Sequence, residues 1–186
     1  MNRLALLLCL GLLIPGVALA ERYSTEEMRR PQERVTPQEA SSRCYGLETE
    51  LAVALRARDF QSHRRIALWG IAYCQPLVPR DSYLDFYGAA ASSSNSLGNP
   101  QEALRLSEQC IARAYNSPDC HVERALALRA LRRTAESENA RRIALGMLND
   151  AIAGTSRPQE PQGLDAARQR ERLERYRQQQ ERLGGY

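Results

Sequence analysis

Residues 87–112 read YGAAASSSNSLGNPQEALRLSEQCIA, and the order of residue types in this stretch decides the fold. Leu97-Gly98 closes one helix. Asn99-Pro100-Gln101-Glu102 opens the next, with a capping side chain, a proline at the first helical position and a glutamate able to reach back to the cap. Before the turn, Leu84, Tyr87, Ala90 and Ala91 fall on one helical stripe, ahead of the small polar run Ser92 to Ser96. After it, Ala103, Leu104, Ser107, Cys110, Ile111 and Ala114 form the second stripe at spacings of three and four. Two helices joined by so short a turn must lie antiparallel.

Working outward, the same pattern occurs on both sides. Upstream, Thr36-Pro37-Gln38-Glu39 repeats the cap, proline and glutamate, and Cys44, Leu47, Leu51, Ala54 and Leu55 follow on one stripe. That helix is expected to stop near Ala57 to Asp59. A second one carries Phe60, His63, Ala67, Gly70, Ile71 and Cys74, and Gln75 to Arg80, with two prolines, ends the pair. Asp81 or Ser82 is positioned to cap the third helix. Downstream, Ser117 and Pro118 are expected to cap a fifth helix over Asp119 to Leu131. A sixth begins near Thr134, presents Ala140, Ile143, Ala144, Met147, Leu148, Ala151 and Ile152, and meets a natural stop at Gly154. The expected class is all-α: three antiparallel helix pairs over residues 36–154.

Three pairs in succession suggest a period, and a shift of 34 places Ala91 on Ala125, Leu97 on Leu131 and Cys110 on Ala144. With Tyr87, Ala91, Leu97, Gly98, Ala103, Cys110 and a slightly late Pro118, the middle pair resembles the tetratricopeptide repeat family. The flanking pairs depart from it: Ser137 stands where the family has its second-helix alanine, and the first pair is offset by nearer 40 residues than 34. The resemblance implies a short superhelix in which each hairpin covers its apolar faces on the next, leaving a curved surface lined by first helices where peptides bind. It puts Asp85, Ser92, Asn95 and Ser96 on that surface, followed by Arg129 from the next repeat, with Asn95 and Arg129 able to clasp a peptide's backbone and carboxylate. The chain is similar, in second place, to the Sel1-like repeats, whose secreted members tie helix pairs with cysteines but whose glycine-rich signature is missing here. An ordinary helical bundle, with those polar residues forming a solvated helix face, is the alternative.

The first 20 residues have the form of a secretory signal: Asn2 and Arg3, an apolar run from Leu4 to Val17, and the small-x-small end Ala18-Leu19-Ala20. The run is shorter than the roughly 20 residues a bilayer span needs, and Pro15 and Gly16 interrupt it, so cleavage after Ala20 is expected rather than an anchor. No later segment has the length and apolarity to cross a membrane. Residues 21–35 read as a flexible lead-in. Cys9 leaves with the signal, and the four remaining cysteines, Cys44, Cys74, Cys110 and Cys120, point to disulfides in an oxidising compartment, the periplasm. Cys44 and Cys74 are equidistant from the first turn and both sit on buried stripes, which pairs them and leaves Cys110 with Cys120 across the turn at Asn116 to Pro118. The rival links Cys74 to Cys110.

All 26 basic residues are arginine, yet the net charge of +4, or +3 without Arg3, is too small and too evenly interleaved with Glu for nucleic acid. His63 and His121 form no metal-ligand pair, no phosphate-cradling loop or nucleophile elbow occurs, and no carboxylate pair is visibly sheltered. No cofactor, metal or catalytic residue is expected. His63 and Trp69 read as core residues. Residues 155–163, with Pro158 and Pro161, read as a linker, and residues 164–186 as a charged C-terminal helix. Ala166, Leu173, Tyr176 and Leu183 recur at heptad-like positions there, but Gln169 and Gln180 make the seam polar, so a solitary solvated helix is expected. The reading is an exported module of the bacterial cell envelope that binds or scaffolds a protein or peptide partner. Its rivals are a small periplasmic hydrolase or thiol enzyme, and a structural protein whose charged tail contacts cell wall or lipid headgroups.

Overall fold

The computed structural model describes residues 37–74, 86–113, 116–155 and 164–184, which form seven helices and no strand. They are α1 (Pro37–Arg56), α2 (Phe60–Tyr73), α3 (Phe86–Ser96), α4 (Pro100–Arg113), α5 (Pro118–Ala130), α6 (Thr134–Thr155) and α7 (Leu164–Gly184). The leader at 1–20, the lead-in at 21–35, the caps expected at Thr36, Asp81 or Ser82, and all of the linker expected over 155–163 but Thr155, which ends α6, lie outside the described residues. The helices divide between two compact units, one ending at Leu77 and the other beginning at Val78. No helix among the described residues is long and apolar enough to cross a membrane.

In the first unit α1 packs against α2. Cys44, Leu47, Leu51 and Ala54 of α1 are buried, as are Ile66, Ala67, Trp69 and Cys74. Leu55, expected on the same stripe, is instead 48% exposed, with Val53 also turned outward. The spacing 44, 47, 51, 54 already completes an inward line, and Leu55 lies a further 100° round the helix. Cys44 and Cys74 stand at disulfide distance, 1.99 Å between sulfurs and 5.6 Å between α-carbons, closing the hairpin's open end. Trp69 stacks on Tyr73 with ring centroids 4.7 Å apart, a packing role. His63 is buried, and burial pushes its pKa down to about 4, so the imidazole is neutral in the fold at pH 7.

In the second unit α3 packs on α4, α4 on α5, and α5 on α6, while α3 also meets α5 directly. The core is rich in alanine: Ala103, Ala125, Ala127, Ala140 and Ala144 are fully buried beside Leu104, Val122, Leu128 and Leu148. Small side chains let the helix axes approach, and each fully buried leucine among them is worth roughly 1.5–3 kcal/mol. Ser137, the departure from the alanine pattern, is tolerated in this core because its Oγ donates to Ala125 O at 3.2 Å. Cys110 and Cys120 stand as a disulfide pair, 5.8 Å between α-carbons, tying the end of α4 to the start of α5. Both sulfurs lie against Gly88 of α3, where an added Cβ would meet them at 3.8–3.9 Å. Ser117 does occupy the N-cap of α5, but its side chain makes no capping bond; Pro118 alone serves the start expected there. At the far end α6 runs through Gly154 to Thr155.

One turn is built three times. The second residue after the helix end takes left-handed backbone at Arg58 (φ 54°), Gly98 (φ 75°) and Arg132 (φ 57°). In each case the following N–H reaches back five residues: Asp59 N to Ala54 O at 3.0 Å, Asn99 N to Ser94 O at 2.8 Å and Arg133 N to Leu128 O at 3.0 Å. That bond and its neighbours satisfy the last carbonyls of the first helix in the manner of a Schellman end. The carbonyls of Asp59, Asn99 and Arg133 then accept the N–H of His63, Ala103 and Ser137, which starts the second helix. The left-handed positions are 40 and 34 residues apart, matching the irregular first offset and the regular second one.

The C-terminal helix is not solitary. α7 packs on α6 and on α5, burying Tyr176, Gln179 and Leu183, which are three and four residues apart. Arg141 Nε donates to Leu183 O at 3.0 Å and Gln180 Nε2 to Asn149 Oδ1 at 2.7 Å, so α7 runs back antiparallel to α6. The polar seam positions Gln169 and Gln180 are half-buried, and the glutamine that goes inside is Gln179, whose Nε2 donates to Asp119.

Candidate partner-binding face

The C-terminal half of helix α3 is small and polar, with hydroxyls bonded along its own axis. Ser93 Oγ donates to Ala89 O at 3.0 Å and Ser96 Oγ to Ser92 O at 3.0 Å, while Ser94 Oγ lies 2.8 Å from Ala90 O and 2.9 Å from Glu102 Oε2. Bonding back to the fourth preceding carbonyl satisfies a serine hydroxyl inside a helix. Ser93 and Ser94 are accordingly buried, Ser92 is half-buried and Ser96 exposed.

Asn95 leads out of the helix. Its Nδ2 donates to Glu123 O at 3.0 Å and to Glu123 Oε2 at 2.8 Å, joining α3 to α5. The Glu123 side chain is only 3% exposed, and it also receives Arg182 of α7, with Nη1 at 2.8 Å from Oε1 and Nη2 at 3.3 Å from Oε2. One helical turn before Glu123, Asp119 receives Gln179 of α7. A polar ladder thus crosses three helices, Asn95 to Glu123 to Arg182, with Asp119 and Gln179 beside it. A buried carboxylate is costly unless charge and hydrogen bonds surround it, and here a guanidinium and an amide do so.

Of the residues the sequence pointed to, Ser92, Asn95 and Ser96 are brought together on α3, and Arg129 lies exposed near the end of α5. Asp85 lies outside the described residues. Asn95 engages Glu123 rather than lining open space. Sequence reasoning missed Glu123, Asp119, Gln179 and Arg182. Nothing in the periodicity marks Glu123 among 22 acidic residues, whereas Tyr176 and Leu183 did carry a signal that the tail has an inner side. Among the described residues no three His, Cys, Asp or Glu side chains gather as metal ligands would. His121 is buried next to Cys120 in the disulfide pair. No protein-family model, curated protein or solved structure matches the chain.

Proposed function

We propose that this chain is an exported, non-catalytic module of the bacterial cell envelope that holds a protein partner, on a tetratricopeptide-like surface formed by the first helices of successive hairpins. The observation that carries the reading is the direct contact of α3 with α5, two first helices lying side by side while α4 packs on both. That is the arrangement a repeat needs to present consecutive first helices to a ligand. The shared turn geometry at Arg58, Gly98 and Arg132 and the small side chains of α3 from Gly88 to Ser96 support it, because a helix of small side chains leaves room for an extended peptide. Export, and with it a periplasmic location, rests on residues 1–20 and on four cysteines standing in two disulfide pairs.

The test is chemical crosslinking in intact cells followed by purification of the tagged chain. Ser96→Arg combined with Arg129→Ala fills and discharges the face without touching the core, since both positions are exposed. A partner captured by the wild type and lost from the variant is the expected result. The same set of crosslinked proteins from both strains contradicts the proposed surface.

A further inference from the structure

Helix α7 is joined to the second unit by little apolar surface and several polar anchors. Of its side chains with described burial, only Tyr176, Gln179 and Leu183 are buried, and its remaining described positions are exposed or half-buried. The face it covers is different in kind. It combines the apolar cluster of the hairpins, to which Tyr176 and Leu183 also belong, with two carboxylates one turn apart on α5, Asp119 and Glu123. Asn95 of α3 fixes the Glu123 carboxylate in place. The acidic half of the pair is therefore sealed into the hairpins, while Arg182, the cationic half, is 39% exposed on the outermost helix.

Such a face requires a cation. While a helix covers the face Glu123 is out of water, and any helix that covers it and delivers an arginine in the register of Arg182 supplies the cation, whichever chain it belongs to. Elements that bury few apolar side chains open at low free energy in a fold, and α7 has two of them with described burial, Tyr176 and Leu183, beside part-buried polar anchors. We infer that the α5–α6 face is a receptor for an arginine-bearing amphipathic helix of the protein partner, and that α7 is its tethered stand-in, displaced when the partner's helix docks. The recognised pattern is an aromatic residue, an amide three positions on, arginine six positions on and leucine seven positions on, as in Tyr176, Gln179, Arg182 and Leu183. Charge complementarity with Asp119 and Glu123 selects a basic helix over an acidic one. This rests on the reading of the chain as a partner-binding module and names the chemistry of its partner.

The test uses the full mature chain and, as probe, a fluorescent peptide of residues 164–186, followed by anisotropy. In the Arg182→Glu chain the tail is repelled by Glu123 and the face is vacated, so the peptide is expected to bind at least about ten-fold tighter than to wild type. A peptide carrying Arg182→Glu should lose that binding and regain it on a chain carrying Glu123→Arg. If circular dichroism shows that the Arg182→Glu chain does not fold, Tyr176→Ala serves as the vacated chain. Equal binding to vacated and wild-type chains, or binding indifferent to the peptide's arginine, overturns the inference. So does a wild-type dimer in light scattering whose tails exchange, because the occupant is then a second copy. Capture of the peptide by the Ser96→Arg, Arg129→Ala chain with α7 vacated separates failure of this receptor from failure of the first-helix surface.

Discussion

Replacing Arg182 by alanine removes the cation from Glu123 and leaves the carboxylate with Asn95 as its hydrogen-bond donor across the helices. Hydrogen bonds to charged groups contribute about 1.5–3 kcal/mol each. Two are lost here, but Arg182 is 39% exposed and partly screened by solvent, which lowers the sum. The loss is also capped, because once it exceeds the docking free energy of α7 the helix lifts and water reaches Glu123. The expected destabilisation is about 2 kcal/mol, which lowers the melting temperature of a unit of this size by roughly 8 °C or more. Urea unfolding followed by circular dichroism at pH 7 measures it. In a Glu123→Gln background the same substitution should cost about half as much, since no buried charge is stranded. A loss below about 0.5 kcal/mol, or an equal loss in both backgrounds, refutes the view that the ladder holds α7 in place.

Arg58→Gly and Arg132→Gly should each stabilise the fold by about 0.5–1 kcal/mol, because both arginines occupy left-handed backbone, whereas Gly98→Ala should cost a similar amount; urea midpoints decide. His63 has a folded pKa of about 4, below its ordinary 6.5, so the unfolded chain takes up the proton first as pH falls. The first unit's stability is then fully present above pH 6.5, declines by about 3 kcal/mol towards pH 4 and levels off below, and His63→Phe should remove that component from a series of urea curves. Loss of the Cys44–Cys74 link, which spans 30 residues, should cost about 3.6 kcal/mol on loop-entropy arithmetic, against about 2.7 kcal/mol for Cys110–Cys120, which spans 10; paired Cys→Ser variants compared by thermal melts rank the two.

Local chemistry made the helices legible, and long-range chemistry did not show. Leu97-Gly98-Asn99-Pro100 announces its turn because only a residue that accepts left-handed backbone, followed by a cap and a proline, fits there. The turn at Arg132 has the same backbone but no glycine, and only its 34-residue offset from Gly98 betrays it. The placing of Cys44 opposite Cys74 was readable because equal distance from a turn fixes who faces whom in an antiparallel hairpin, and the pairing formed is that one rather than Cys74 with Cys110. Leu55 was misplaced because a stripe read from spacing alone has no edge. The burial of Gln179 and Glu123 was hidden, since a polar side chain goes inside only when a partner from a distant segment meets it, and that partner cannot be found from periodicity. Asn95 was singled out as a residue to clasp a peptide backbone, and its bonds to Glu123 were invisible until α5 lay beside α3.

The most direct measurement is disulfide mapping of the chain recovered from intact cells: thiols are blocked on lysis, the unreduced protein is digested, and linked peptides are identified by mass spectrometry. The expected result is a mature chain beginning at Glu21 with Cys44 joined to Cys74, Cys110 joined to Cys120 and no blocked thiol. A chain that retains residues 1–20 and carries its cysteines reduced contradicts it.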